Sequence, residues 1–188
     1  MACNTVTLNG INAKCDTSAG GIKRVLIIQK DDVTNITVDW DEITQTGSDL
    51  ITNITLKEGT QFVQWAFRKN TGNYTTSLTS DPAIGTQAVT TDLNLQFTKA
   101  EAIKRLEIQS AINAAAVVIV EDMYGQYILL GKDTEVSVTS VNMQSGTAAT
   151  DLNGFTLTLQ DVSTKLPHFL KGEFAASEEF KAMIKPFA

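Results

Sequence analysis

The apolar residues of this chain come in strand-sized packets, and that spacing restricts the fold more than any other property. Val25-Leu26-Ile27-Ile28 run consecutively inside Ile22–Gln29, the pattern of a buried strand. Asp31-Asp32 marks a bend, after which Val33, Ile36 and Val38 continue in a more polar strand that closes at Trp40. Leu50, Ile51, Ile54 and Leu56 form the next packet. Glu58-Gly59 supplies a turn, and Phe62–Phe67 is aromatic and strand-prone, so these two packets are expected to be antiparallel neighbours. Asp92–Phe97 alternates strictly, as a half-solvated strand does. Ala116–Glu121, the turn Asp122–Gly125 and Tyr127–Leu130 predict a tight hairpin. Val136, Val138 and Val141, a turn at Ser145-Gly146, and the alternating Phe155–Leu159 complete the set. The sum is a mainly β chain: a β-barrel or sandwich of eight to ten mostly antiparallel strands flanked by one α-helix.

That helix is expected over 99–115. Thr98-Lys-Ala-Glu101 has the form of a capping box, in which the Thr98 hydroxyl accepts from the Glu101 amide and Glu101 reaches back. Its apolar residues fall in two stripes at 100° per residue. Ile103, Leu106 and Ala114 lie on one, Ile108, Ile112 and Ala115 on the other. Such a helix is either contacted from two directions or buried in one crowded core.

Two segments depart from the strand pattern. Residues 69–91 are polar and almost without apolar period, which reads as a connection far longer than the usual one. It is either a surface loop or an arm that orders against a neighbouring subunit, with Tyr74 its aromatic residue. Residues 169–188 hold four of the eight phenylalanines, and Phe180, Met183, Ile184 and Phe187 follow helical spacing after Ser177-Glu-Glu. This apolar stripe either folds back on its own domain or docks on another subunit as a helix in a groove. The chain thus divides into a polar leader (1–19), a β domain (20–168) and an aromatic C-terminal extension (169–188). Phe180, Met183, Ile184, Phe187, Tyr74, Ile108 and Ile112 are the candidate partner-binding residues.

The inventory for chemistry is sparse. The 188 residues include one histidine, His168, and two cysteines, Cys3 and Cys15, which leaves little for hydrolytic triads, histidine metal sites or zinc ribbons. His168 reads as a partly exposed structural residue, and the two cysteines as free thiols. The adjacent carboxylates Asp31-Asp32, Asp41-Glu42 and Glu121-Asp122 read as solvated turn residues. Asp39–Glu42 lacks calcium-loop spacing. No enzyme, cofactor or metal is expected. The net charge of −6 divides evenly between the halves of the chain, which disfavours a phosphate-binding face. The leader has no basic region followed by an apolar run, and no apolar stretch reaches membrane-spanning length, so no membrane partner is expected. In place of charge the chain carries 25 threonines, a β-branched uncharged type suited to strands.

The order of elements, with the stretch Gly146-Thr-Ala-Ala-Thr-Asp151-Leu-Asn-Gly154-Phe-Thr-Leu157-Thr-Leu159, resembles the tail tube and tail ring proteins of tailed bacteriophages. It is similar above all to small virion proteins of Bacteroides and crAss-like phages, over Gly20 to Leu159. The resemblance implies a virion tail protein assembled in the host cytoplasm. Six or twelve copies would close into a homo-oligomeric ring of the tail tube or head–tail connector. Strands would line a lumen that passes DNA without specific binding, adjacent tail or connector proteins would be partners, and no residue would be catalytic. The aromatic extension departs from a minimal tube subunit and favours a specialised ring or connector. The alternative is a monomeric β-sandwich binding module, carbohydrate-binding or adhesin-like. The inner tube of a contractile secretion system is a third reading.

Overall fold

The computed structural model describes residues 20–41 and 46–187, so the leader with Cys3 and Cys15, and Glu42, lie outside the described residues. A central antiparallel sheet is built from β1 (Ile22–Gln29), β4 (Val63–Ala66), β7 (Ala116–Asp122), β8 (Tyr127–Leu130) and β11 (His168–Phe169), in the order β11-β8-β7-β1-β4. A second sheet, in the order β5-β6-β10-β9, comprises β5 (Gly72–Asp81), β6 (Thr86–Thr98), β9 (Ser137–Gln144) and β10 (Gly154–Ser163). The strands β2 (Val33–Asp41) and β3 (Thr46–Leu56) form a separate two-stranded ribbon. Three short helices complete the fold: α1 (Ala102–Ile112), α2 (Gly172–Ala176) and α3 (Glu178–Ala182). The sheets do not close into a barrel, so of the two expected architectures the sandwich is the one formed.

The consecutive apolar runs follow from the place of the central sheet, which is covered on both faces. Val25, Ile27, Val118, Val120, Ile128 and Leu130 point toward Leu93, Leu95, Leu157 and Leu159 of the second sheet. Their strand neighbours Leu26, Ile28, Val117, Ile119 and Leu129 point the other way, onto Ile51 and Ile54 of the ribbon and onto Phe62, Phe174 and Phe180. A strand wet on one face alternates; one dry on both cannot. The second sheet keeps strict alternation because only one of its faces is covered.

The C-terminal segment is the lid of the second core. Ser177 Oγ accepts from the Phe180 amide at 3.1 Å and caps α3, with Glu178 and Glu179 in its first turn. Phe180 is 1% exposed, edge-on to Tyr127 at 5.6 Å between ring centres. Met183 and Ile184 pack partly buried on the same core. The chain then pins itself to Phe62, whose amide donates to Met183 O at 2.8 Å and whose carbonyl accepts from the Lys185 amide at 2.9 Å. The extension folds back, and Phe180 is unavailable to a partner. The boundary drawn at 168/169 falls inside β11.

Four expectations are corrected. The connection 69–91 is a long hairpin: β5 pairs with β6 from Gly72↔Leu95 to Asp81↔Thr86, with a turn only at 82–85. The segment looked structureless because its outward residues are polar and its inward Leu78, beyond the cover of the central sheet, is 58% exposed. Second, β4 pairs with β1, and β3 pairs with β2, so the packets flanking Glu58-Gly59 are not neighbours. Third, α1 spans 102–112 rather than 99–115 and has no capping box. Thr98 is held in the ladder opposite Gly154, and Glu101 binds the ammonium groups of Lys99 and Lys104 instead. Fourth, His168 is buried, its Nδ1 3.3 Å from the Asp49 carbonyl oxygen.

Because Phe180 fills a fully enclosed site, Phe180→Ala is expected to cost about 3–5 kcal/mol in urea denaturation. Phe187→Ala, at a residue 63% exposed, is expected to stay within about 0.5 kcal/mol of the parent.

Candidate interaction surface

The second sheet turns a polar face with few charges to solvent. Along β6 the inward residues are Leu93, Leu95 and Phe97, and the outward ones Thr90, Asp92, Asn94 and Gln96. The register extends this face across all four strands. One row reads Asn73, Asn94, Thr158, Ser140; the next reads Thr75, Asp92, Gln160, Ser137; a third joins Gln96, Thr156 and Asn142. Side chains bond across strands: Thr158 Oγ1 donates to Asn94 Oδ1 at 2.9 Å, and Gln160 Nε2 to Asp92 Oδ1 at 2.8 Å. Asp92 is the single charge in these rows, and the Gln160 amide bonds it.

Other carboxylates are sealed in the interior. Glu121, 3% exposed, binds Lys23 Nζ at 2.6 Å and Arg24 Nε. Burial pushes its carboxyl up, but hydrogen bonds and charge from Lys23 and Arg24 outweigh this and hold it below the usual range. Glu121 is therefore no solvated turn residue, contrary to the sequence expectation. Asp161, 5% exposed on the inward side of β10, is the opposite case: burial pushes its carboxyl up against the pull of the Gly131 amide and the Thr134 hydroxyl. Nearby, Lys30 Nζ donates to Gly131 O and to Lys132 O, tying the end of β1 to the loop after β8.

The two sheets differ at their edges. In the central sheet β11 is two residues long, and the tail closes on Phe62, the residue before β4. In the second sheet the edges are β5 and β9, ten and eight residues long. β9 carries no charged residue or proline along Ser137–Gln144, and β5 carries one charge, Asp81, at its end. Apolar residues on the inward side of these edges are half uncovered: Val141 at 38%, Met143 at 61% and Leu78 at 58% exposure. Monomeric proteins commonly blunt such edges with lysine, proline or very short strands.

A second apolar feature lies between β4, α1 and the tail. It is a groove of about 420 Å³ with Trp65 and Phe97 among its lining and Val63, Ile103 and Phe187 exposed along it. Trp65 and Phe97 meet edge-to-face at 5.7 Å, which fixes their rings.

The candidate partner-binding residues divide accordingly. Phe180 and Ile108 are core; Met183, Ile184 and Tyr74 are partly buried against the chain's own core. Ile112 (41%) and Phe187 are exposed. Of the two stripes on α1, Ile108 faces inward while Ile103 and Leu106 face out, so the monomer contacts this helix from one side. The polar rows were missed, although the alternation of leucine with Asn and Gln along Asp92–Phe97 carries their signal. Among the described residues, no group of three or more His, Cys, Asp or Glu could hold a metal ion, and no helix is long and apolar enough to cross a membrane. No family model, curated protein or solved structure matches the chain.

A group whose carboxyl is depressed in the folded state adds stability above the unfolded value, and this is lost as pH falls through the folded one. Glu121→Gln is therefore expected to lower stability by about 1–3 kcal/mol at neutral pH. The gap to the parent should close on acidification, measured as urea midpoints across a pH series.

Proposed function

We propose that this chain is a structural subunit that joins side by side with its own copies through β5 and β9 into a closed ring. The polar face of the second sheet, with Asp92 and no Lys or Arg in its rows, would line the lumen. The observation that carries the reading is the pair of long, nearly uncharged edges with half-exposed Leu78, Val141 and Met143 on their inward side. Pairing β5 of one copy with β9 of the next continues the sheet, satisfies edge amides and covers those residues together. A wall of Thr, Ser, Asn and Gln with no Lys or Arg offers phosphates no counterion to release, so DNA slides along it without being held. This agrees with the resemblance to phage tail tube and tail ring proteins. The chain is read as a virion component that conducts DNA through a tail tube or connector.

Rings of six or twelve copies are expected by negative-stain microscopy and native mass at micromolar concentration. A stable monomer that also joins no tail component would refute the reading. Ser140→Lys combined with Asn142→Lys places two charges on the β9 edge. This variant is expected to keep the parent's monomer melting temperature and to lose the rings.

A further inference from the structure

A cavity of about 390 Å³ opens where the starts of β1 and β5 meet the turn between β7 and β8. Asn73, Tyr74, Asp122 and Tyr124 line it together with the backbone of Gly20 and Gly21, and no Lys or Arg does. Its size is that of a small-molecule site. The turn that carries Tyr124 is held from several sides. The Gln126 amide donates to Asp122 Oδ1 at 2.8 Å, the Gly125 amide to Asp122 O at 3.2 Å, and the Met123 amide to Gly21 O at 3.1 Å. Gly125 takes the left-handed conformation at φ 86° that closes the turn.

The polar groups around the cavity have hydrogen-bonding capacity to spare. Among the described residues, the Asn73 carboxamide and the Tyr74 and Tyr124 hydroxyls have no hydrogen-bond partner, and Asp122 uses one carboxylate oxygen. The two tyrosines differ in what they offer. Tyr74 lays its ring on the chain's own first core, which leaves its hydroxyl, in the field of Asp122, for a ligand. Burial and the Asp122 carboxylate push this phenol up, so it stays a protonated donor at neutral pH. Tyr124, 53% exposed, keeps an open ring.

We infer that this cavity binds a neutral pyranose sugar, with the C–H face of the sugar on the Tyr124 ring and its hydroxyls among Asn73, Tyr74 and Asp122. A sugar hydroxyl is donor and acceptor at once, which suits a set made of a carboxylate acceptor, a phenol and a carboxamide of both kinds. The tyrosine ring supplies a broad, rigid, amphipathic surface with little entropy to lose. Anionic ligands are disfavoured, because the carboxylate repels them and no lining cation answers. A quaternary ammonium cage needs several open ring faces, and Tyr74 has spent its own on the core. The inference does not rest on the ring reading, and its failure leaves that reading where it stands.

The test is saturation-transfer NMR on the full-length protein, with methyl glycosides of glucose, galactose, mannose and N-acetylglucosamine at about 20 mM, above the millimolar Kd of a weak single-sugar site. At least one of these is expected to receive saturation, and the methyl glycoside of glucuronic acid is expected not to. Tyr124→Ala, at an exposed turn position, and Tyr74→Phe, which removes one oxygen and keeps the ring, are each expected to weaken binding about tenfold at an unchanged melting temperature. No transfer to any neutral glycoside would overturn the site. Binding that survives both substitutions would also overturn it, by placing the sugar elsewhere, as would a glucuronide that binds as well as the neutral sugars. Tetramethylammonium that binds the parent and not Tyr124→Ala, with no glycoside bound, would give the cavity to a cation instead.

Discussion

Everything in this fold depends on the central sheet being dry on both faces. Leu26 and Ile27 are adjacent residues, yet each sits in a separate core. A chain of this size builds two cores only if each has its own cover, and the sequence supplies the covers on either side of the sheet. The second sheet and α1 close one face; the ribbon, α2 and α3 close the other. The aromatic tail therefore belongs to the fold. Without Phe174 and Phe180, much of the face formed by Leu26, Val117, Ile119 and Leu129 would lie open to water.

The same requirement sorts the polar groups. A sheet buried on both faces has nowhere to place a charge without a partner, so Glu121 lies at the end of β7, where Lys23 and Arg24 reach it from β1. Arg24 also donates to Gln64 Oε1 and to the Tyr127 hydroxyl, joining β4, β1, β7 and β8 at one margin. Uncharged hydrogen-bonding residues collect on the uncovered face of the second sheet, where neighbours bond across strands.

Legibility in the sequence followed the chemistry of burial. β1 and the β7–β8 hairpin were plain, because consecutive Val, Leu and Ile between turn residues leave few alternatives. β5 was not: a strand at the edge of a half-covered sheet needs apolar residues only where the other sheet reaches, and beyond Tyr74 its inward positions are Thr76, Leu78 and Ser80. The turn at Glu58-Gly59 named a reversal correctly but not the partners, since pairing is decided by the wider sheet and not by the turn. Thr98 and Glu101 matched a capping box in type and spacing. The ladder opposite Gly154 claimed Thr98 first, and a local signal lost to a tertiary one. The tail's helical spacing was legible, but whether its apolar face met this chain or another depended on an open face of the central sheet that no local pattern displays.

Period two also bears on how edges of the second sheet can meet. Shifting the register of a strand by one residue moves every side chain to the other face. If β5 of one copy pairs with β9 of the next, a shift would set Leu78 of one copy beside Ser140 and Asn142 of the next, and Thr75 beside Val141 and Met143. The correct register keeps apolar with apolar and leaves the face of Thr, Asn and Gln unbroken across the junction. In such a pairing, exposed apolar residues on one side of each edge would serve as the register mark that a flat, fully polar edge lacks. The scarcity of charge along both edges would let two such strands approach without stranding an ion between them.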